Sequence, residues 1–403
     1  MKLGFDIPVI WSNSKLLRIL QDFKKYSLSQ LQIYGCISKI FPTGRPNDFT
    51  VTDIEQAKNI FESAQNSGVE TNYLLNGNLS NYDIQYFRKY LETVVIVLNP
   101  DLITISDTNL LKHLVKIYNS QNIEVSAIAG IKSISDLEHW LTNKEYIRNI
   151  KAVALHQDIC RESPETLFPL LNYLEAHSIK PRVLVTESCY YGCPFRAAHY
   201  AHFANAISLQ PQETFIDPYQ INCVIRRLKH PETLLDISGF LMPEKIEEFS
   251  LATGIDTFKI SGRSMPDEWI LNTSKLYFAR KSPDNIYEII VFTVPFLDEF
   301  NLKINELFYV NPRAYSDVYS ELMNIDNYSK RDTYLKNKAA ELFKEGKLAI
   351  NDPGSIYTVR GDKVLLQRAG QYLKRLENIR NTAPYSEKSF EERICDKYAM
   401  FNV

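Results

Sequence analysis

The segment Thr186-Glu-Ser-Cys-Tyr-Tyr-Gly-Cys-Pro-Phe-Arg places two thiols, Cys189 and Cys193, in a C-x₃-C turn. Such a turn aims both thiolates at one metal ion or cluster. Cys223, in Asp217-Pro-Tyr-Gln-Ile-Asn-Cys, follows in a long link, and Cys36 comes directly after the apolar run Leu31–Gly35. Cys189, Cys193 and Cys223 are therefore candidate ligands, with Cys36 as the fourth. Four thiolates suit either an iron–sulfur cluster or a structural Zn²⁺. Structural zinc sites pair C-x₂₋₄-C knuckles on small modules, whereas here one close pair joins two remote cysteines, which favours a [4Fe-4S] cluster, with zinc as the alternative. Cys160 and Cys395 read as ordinary buried thiols.

Other polar side chains crowd the same stretches. Pro194 is expected to start a helix, and Arg196, His199 and His202 follow on it at spacings of three, presenting a cationic face to an anionic substrate. Glu187 lies two residues before Cys189 on a strand candidate, so its side chain points to the barrel interior, as a general base or as an ion-pair partner for Lys259 or Arg263. In Phe258-Lys-Ile-Ser-Gly-Arg263, Lys259 and Arg263 leave a strand beside Gly262, where phosphate or carboxylate binding is reasonable. Asn76 and Arg45 occupy comparable loop positions. Glu187, His199 and Lys259 are the candidate catalytic groups, and Arg45, Asn76, Arg196 and Arg263 the candidate substrate contacts. No G-x-G-x-x-G, P-loop, G-x-S-x-G or H-E-x-x-H motif is present, which argues against common nucleotide enzymes, serine hydrolases and zinc proteases.

The elements that must position these residues alternate between short β-branched runs and amphipathic segments, the pattern of βα units. Strands are expected at Gly4–Ile10, Leu31–Gly35, Glu70–Asn76, Leu102–Ser106, Glu124–Ala129, Ala152–Gln157, Arg182–Ser188, Leu235–Phe240 and Thr257–Ser261. That is nine where a closed barrel needs eight, so one among the first or last two is peripheral. Helices are expected at Thr52–Ser67, Asn81–Leu91, Asn109–Tyr118, Ser133–Leu141 and Pro164–His177, each opening near a capping Asp, Ser or Asn. Beyond about residue 300 the alternation stops, leaving charged helices at Ala339–Gly346 and Lys363–Asn378 and a polar tail at Thr382–Val403. The fold class is α/β, a TIM-like (β/α) barrel over residues 1–290 with a mostly helical C-terminal extension over 291–403.

With 403 residues, 45% of them hydrophobic, the chain has enough apolar side chains for one large core and an appendage. Its 46 Lys and Arg against 48 Asp and Glu give a net charge of -2, so no domain-wide basic field holds a polyanion. Asp6, Pro8 and Ser12 interrupt the first apolar run, which does not make a signal peptide. No stretch approaches the roughly 18 apolar residues of a membrane span, and six cysteines are too few for a disulfide scaffold. A cytoplasmic protein with reduced thiols is expected.

These residues resemble the peptidase U32 family, with its collagenase-like peptidases and their RNA- and ubiquinone-hydroxylating relatives. The resemblance is carried by Tyr34-Gly35, Gly44-Arg45-Pro46, Asn72-Tyr-Leu-Leu-Asn76, Cys189-Tyr-Tyr-Gly-Cys-Pro-Phe-Arg-Ala-Ala-His199, Cys223, Phe240-Leu-Met-Pro-Glu244 and Asp256-Thr-Phe-Lys-Ile-Ser-Gly-Arg263, and covers about the first 280 residues. It implies a TIM-like barrel and, in the hydroxylase branch, a [4Fe-4S] cluster on four cysteines supporting O₂-independent hydroxylation, with prephenate the implied oxygen donor in some members. Three functions follow as expectations. The first is an iron–sulfur enzyme modifying a small molecule, a peptide or an RNA base. The second is a U32-type peptidase, and the third a non-catalytic, metal-stabilised barrel serving as a subunit for a protein partner.

Overall fold

The structure, a computed structural model, describes residues 2–26, 28–37, 54–77, 91–119, 121–141, 144–209, 217–292, 296–325, 328–351 and 363–382. Arg45, Cys395, most of the expected helix Asn81–Leu91 and the tail after Thr382 lie outside them. By its internal packing the chain divides into two units that interleave along the sequence. The first comprises residues 1–186, 197–213 and 239–281, the second residues 187–196, 214–238 and 282–403.

Eight parallel strands close the barrel of the first unit: β1 (Gly4–Pro8), β2 (Gln30–Gly35), β3 (Glu70–Leu75), β4 (Leu102–Ile105), β5 (Ile123–Val125), β6 (Ile150–Ala154), β7 (Lys180–Leu184) and β8 (Thr257–Lys259). Closure is complete because β8 pairs with both neighbours, Phe258 opposite Phe5 and opposite Val183. The expected strand Leu235–Phe240 is the supernumerary one. Its residues make only isolated bridges, Ile237 with Tyr190 and Phe240 with Thr186. An apolar run marks burial, and a buried connection between elements satisfies that pattern as well as a strand does. Helices α2 (Ile54–Asn66), α3 (Thr108–Ile117), α4 (Ile134–Leu141) and α5 (Pro164–Ala176) follow their strands as the periodicity predicts, and α1 (Asn13–Lys25), which was not among the expected helices, follows β1. The unit also holds α8 (Ile246–Thr253) and α9 (Asp267–Ala279), and most of α6 (Arg196–Leu209). None of the described helices is long and apolar enough to cross a membrane.

Along each strand the apolar residues fall in one phase, among them Phe5, Ile7, Leu31, Ile33, Ile103, Ile105, Ile123, Val125 and Phe258, all at most 1% exposed. The other phase is polar, and register joins it around the barrel: Asp6 lies opposite Gln32 and Lys259, Gln32 opposite Glu70, and Thr104 opposite Glu124. Barrel interiors are usually filled by branched apolar side chains. This one is filled by a hydrogen-bonded lattice. Arg182 Nη1 donates to Asp6 Oδ2 at 2.7 Å and stands 3.2 Å from Glu124 Oε2, while Lys259 Nζ donates to Glu124 Oε1 at 2.5 Å. Thr104 Oγ1 lies 2.8 Å from Asn72 Oδ1 and 3.1 Å from Glu124 Oε1, and Asn72 Nδ2 donates to Gln32 Oε1 at 3.0 Å. Arg182 on β7 reaches Glu124 on β5 across the intervening strand, where the small side chains of Ala152 and Ala154 leave the room.

The two central carboxylates respond oppositely. Burial works against the charge of Glu124, but Lys259 and Arg182 together hold its pKa below the ordinary glutamate value. For Asp6 burial prevails over Arg182 and Lys259, Glu124 adds to it, and the pKa is raised.

The second unit, beyond its two inserted segments, holds α10 (Pro312–Leu322), α11 (Tyr328–Lys344), α12 (Lys363–Thr382) and an antiparallel pair, β9 (Phe308–Val310) with β10 (Leu348–Ile350). The helical character expected beyond residue 300 is present. Asn311 caps α10 by accepting from the Ala314 N–H, with Pro312 in its first turn.

Removing one partner from a buried ion pair leaves a charge uncompensated, at about 3–5 kcal/mol. Arg182→Met should therefore lower the unfolding free energy of the barrel, read from urea titration, by that much, and an unchanged value would show the lattice to be dispensable. The lowered Glu124 pKa contributes stability that is present above the ordinary glutamate value and lost as pH falls through the lowered one. In Glu124→Gln the acid limb of a stability-against-pH curve should be correspondingly flatter, and an identical limb would contradict the assignment.

Candidate metal centre

The cysteine loop, Glu187–Arg196, belongs to the second unit. β7 stops at Leu184, and beyond it the backbone keeps only isolated bridges, Glu187 with Val291 and Tyr190 with Ile237. Glu187, 3% exposed, is thus not on a strand, and strand alternation does not assign it to the barrel interior. The ion-pair partner of Lys259 is Glu124, not Glu187. The Cys189 carbonyl accepts from the Ser238 N–H at 2.8 Å and from its hydroxyl at 3.1 Å. Gly192 has φ 60°, a left-handed turn that glycine adopts without a Cβ clash, and the turn closes through the Cys193 N–H donating to the Tyr190 carbonyl at 3.3 Å.

Arg196, 7% exposed, fastens this loop from its end. Its Nη2 donates to the Tyr190 carbonyl at 2.8 Å and to Ser238 Oγ at 3.1 Å. α6 begins at Arg196 and not at Pro194, because the residues before it are spent on the turn. Arg196, a candidate substrate contact, is engaged with the loop, and His199 and His202 follow on α6, both half-buried.

Cys223 lies on a helix, α7 (Pro218–Lys229), rather than in an open link. Asp217 caps that helix, its Oδ1 accepting from the Tyr219 N–H at 3.0 Å, with Pro218 at the first helical position. The Tyr190 hydroxyl donates to the Cys223 carbonyl at 3.2 Å, and Phe195 meets Tyr219 with ring centroids 6.0 Å apart. None of the described cysteines is in a disulfide. Burial pushes the Cys223 thiol well up, the Cys193 and Cys189 thiols push it further, and Arg227 acts against them. The three sulfurs therefore share one electrostatic neighbourhood. As placed, no group of three or more Cys, His, Asp and Glu side chains among the described residues stands close enough to hold a metal ion. What fits a thiophilic metal is the donor set, three cysteines on a tied turn and a capped helix.

The remaining candidates lie in the first unit. Cys36, 6% exposed, follows β2, and Arg263 Nη1 stands 3.2 Å from its sulfur. Gly262, at φ 119°, gives the backbone leaving β8 a conformation that side-chain-bearing residues avoid. Lys259 lies 4.4 Å from the centroid of the Tyr34 ring, whose hydroxyl donates to the Ile260 carbonyl at 2.6 Å. With Glu124 on its ammonium, Lys259 is a fixed cation. The Asn76 carbonyl accepts from the Ser106 hydroxyl at 3.0 Å. Cys160 is buried, its thiol pushed up to about 12 by burial, and its sulfur lies 3.2 Å from the Leu184 carbonyl, the environment of an inert structural cysteine.

Two groups were not among the expected site residues. His156, leaving β6, accepts at Nδ1 from the Asp158 N–H at 3.2 Å, with the Asp158 carboxylate 3.6 Å away. Its signal was a histidine directly after the strand Ile150–Ala154. Arg227, 1% exposed, packs between the rings of Tyr190 and Phe292 at 4.3 and 4.2 Å and donates to the Ser188 carbonyl. Its signal was a position one turn after Cys223 on the same helix face.

No family model matches the chain. It is 30% identical over 173 residues to an uncharacterized protease of Methanocaldococcus jannaschii, a match that covers 43% of this chain and 48% of that protein. The chain thus spans about half the length of the curated relative it matches. Among solved structures it aligns with a U32 peptidase at TM-score 0.44 and 14% identity, covering 65% of this chain and 94% of that one. It also aligns with an N-acetylneuraminate lyase of Fusobacterium nucleatum at TM-score 0.31 and 10% identity, covering 93% and 97%. The chain resembles the peptidase U32 group.

Proposed function

We propose that this chain is an iron–sulfur enzyme of U32-like type, with Cys189, Cys193 and Cys223 as thiolate ligands, that carries out O₂-independent hydroxylation or a related modification of a small molecule, a peptide or an RNA base. What supports the reading is the set of three cysteines in the second unit, two on the tied turn and one on α7, with Cys193 and Cys189 both acting on the Cys223 thiol. A [4Fe-4S] cluster would supply one-electron chemistry. The chain's own residues hold the loop: Ser238 and Arg196 fix the carbonyls of Cys189 and Tyr190, and Asp217 starts the helix that bears Cys223. Zinc on the same thiolates is the structural alternative.

A peptidase is the second reading, favoured by the name of the archaeal relative. It needs a nucleophile or an activated water with a positioned base. In the described barrel His156 is a candidate proton donor for the leaving amine, because Nδ1, accepting from the Asp158 N–H, leaves the ring proton on Nε2.

Metal analysis of anaerobically purified protein separates the readings. About four irons and four sulfides per chain are expected, lost in Cys189→Ala, Cys193→Ala and Cys223→Ala and retained in Cys160→Ala. Cys36→Ala, run beside them, tests the fourth ligand suggested by the sequence. One zinc without iron would point to a structural site, and absence of any metal under strict anaerobic handling would sink the ligand assignment. Cleavage of a peptide library by metal-free protein is expected to be nil. Turnover there, abolished by His156→Ala and unaffected by Cys189→Ala, would establish the peptidase instead.

A further inference from the structure

As the chain leaves β8, its backbone donors are taken up one after another until Gly262. The Ile260 N–H donates to the Asp6 carbonyl at 2.8 Å, and the Ser261 N–H to Thr186 Oγ1 at 2.7 Å. Gly262, at φ 119°, turns out of that ladder. The residue is buried, yet its N–H meets no hydrogen-bond acceptor among the described residues. Buried backbone N–H groups are almost always paired, so this one calls for an acceptor from outside the chain.

The next residue supplies a cation. Arg263 is half-buried, its Nη1 stands 3.2 Å from Cys36 Sγ, and no Asp or Glu among the described residues stands at ion-pair distance from its guanidinium. Sulfur is a weak acceptor, which leaves the fork uncommitted. β1 pairs on one side with β8 and on the other with β2. A side chain running from the exit of β8 to Cys36, just past β2, therefore lies across the end of β1, at the carboxyl-terminal mouth where barrels take their substrates.

The neighbouring polar groups are already spent. Lys259 is bound by Glu124 and covered by the Tyr34 ring, and the Tyr34 hydroxyl donates to the Ile260 carbonyl. Asp6 and Glu124, the inward carboxylates of the charged lattice, lie deeper in the barrel and are held by Arg182 and Lys259. Solvent serves a guanidinium at a mouth, but it does not serve a buried N–H. Side by side on consecutive residues, the two make a donor pair suited to an oxyanion.

We propose that the exit of β8 seats a carboxylate or a phosphate of the substrate, with the Arg263 guanidinium and the Gly262 N–H as its donors. The proposal rests on reading this chain as an enzyme that takes its substrate at the barrel mouth, and it asks nothing of the cysteines in the second unit. It narrows the substrate to one that bears such an anionic group, and it gives the anchoring role to Arg263 and not to Lys259.

Equilibrium dialysis of the chain, prepared without metal, against radiolabelled inorganic phosphate and separately against radiolabelled malonate reads this site without turnover. Wild type is compared with Arg263→Gln, Arg263→Lys and, as a remote control, Lys112→Gln on the exposed side of α3, with far-ultraviolet circular dichroism to establish folding. Wild type is expected to bind one or both anions saturably, and Arg263→Gln to bind roughly tenfold more weakly or worse, the loss of a charge-assisted hydrogen bond. Arg263→Lys should fall between them, because it keeps the charge and loses the planar fork, and Lys112→Gln should match wild type. Saturation by phosphate alone identifies a phosphate-bearing substrate, and saturation by malonate alone a carboxylate. No saturable binding of either anion by wild type, or equal binding by folded Arg263→Gln, overturns the proposal. Should Arg263→Gln not fold, Arg263→Lys decides: weaker binding than wild type upholds the assignment and unchanged binding refutes it. Neither iron nor the cysteines enter this measurement, so the metal analysis stands or falls separately.

Discussion

Arg182 sits 1% exposed inside the barrel, and the interior of the first unit is arranged around the need to neutralise it. Asp6 on β1 and Glu124 on β5 approach its guanidinium, and Glu124 is shared with Lys259 on β8. Each ion taken out of water costs several kcal/mol, so the lattice is tolerable only with every strand in register. A one-residue slip would turn that strand's polar set toward the helices and its apolar set inward. The polar residues thus specify the closure, while the apolar phase, packed against the surrounding helices, supplies the driving force.

The same lattice explains why Lys259 is a poor candidate for a free base. Its ammonium is fixed by Glu124 and covered by the Tyr34 ring, so its charge is structural before it is chemical. Arg196 behaves likewise in the second unit, where its Nη2 is shared between Tyr190 and Ser238. Residue types that read as substrate contacts are employed in holding strands and loops, a demand that a sequence does not separate from catalysis.

Most of the barrel was legible, because period-2 alternation in short runs between capped amphipathic helices has few other solutions. The strands from Leu31–Gly35 to Ala152–Gln157 were placed within four residues at each end. Leu235–Phe240 misled because burial, not pairing, makes a run apolar. Cys223 was read into a link although Asp217-Pro218 ahead of it is an N-cap followed by a first-turn proline, a signal that was present and outweighed by the expectation of a strand. The ionic partners were not legible: Arg182 and Asp6 lie 176 residues apart, Lys259 and Glu124 135 apart, and only the closed sheet brings them together. What the sequence did offer was a charge inside two strand candidates, Asp6 and Lys259, and at the start of two more, Glu124 and Arg182.

The two buried arginines make an instructive pair when each is taken within its own unit. Arg182 has carboxylates on its guanidinium, although its Nε, like that of Arg227, makes no hydrogen bond. Arg227 has a carbonyl, two aromatic faces and an unsatisfied Nε. Among the described residues the groups next to Arg227 that can become negative are two tyrosines and two cysteines. Burial holds the Tyr190 and Tyr287 hydroxyls protonated, their pKa values raised, and it raises that of the Cys223 thiol as well. A thiol differs from a phenol in that a soft metal takes its proton away at neutral pH. Of the ionisable groups beside Arg227, the thiols are therefore the ones whose charge a thiophilic metal would set.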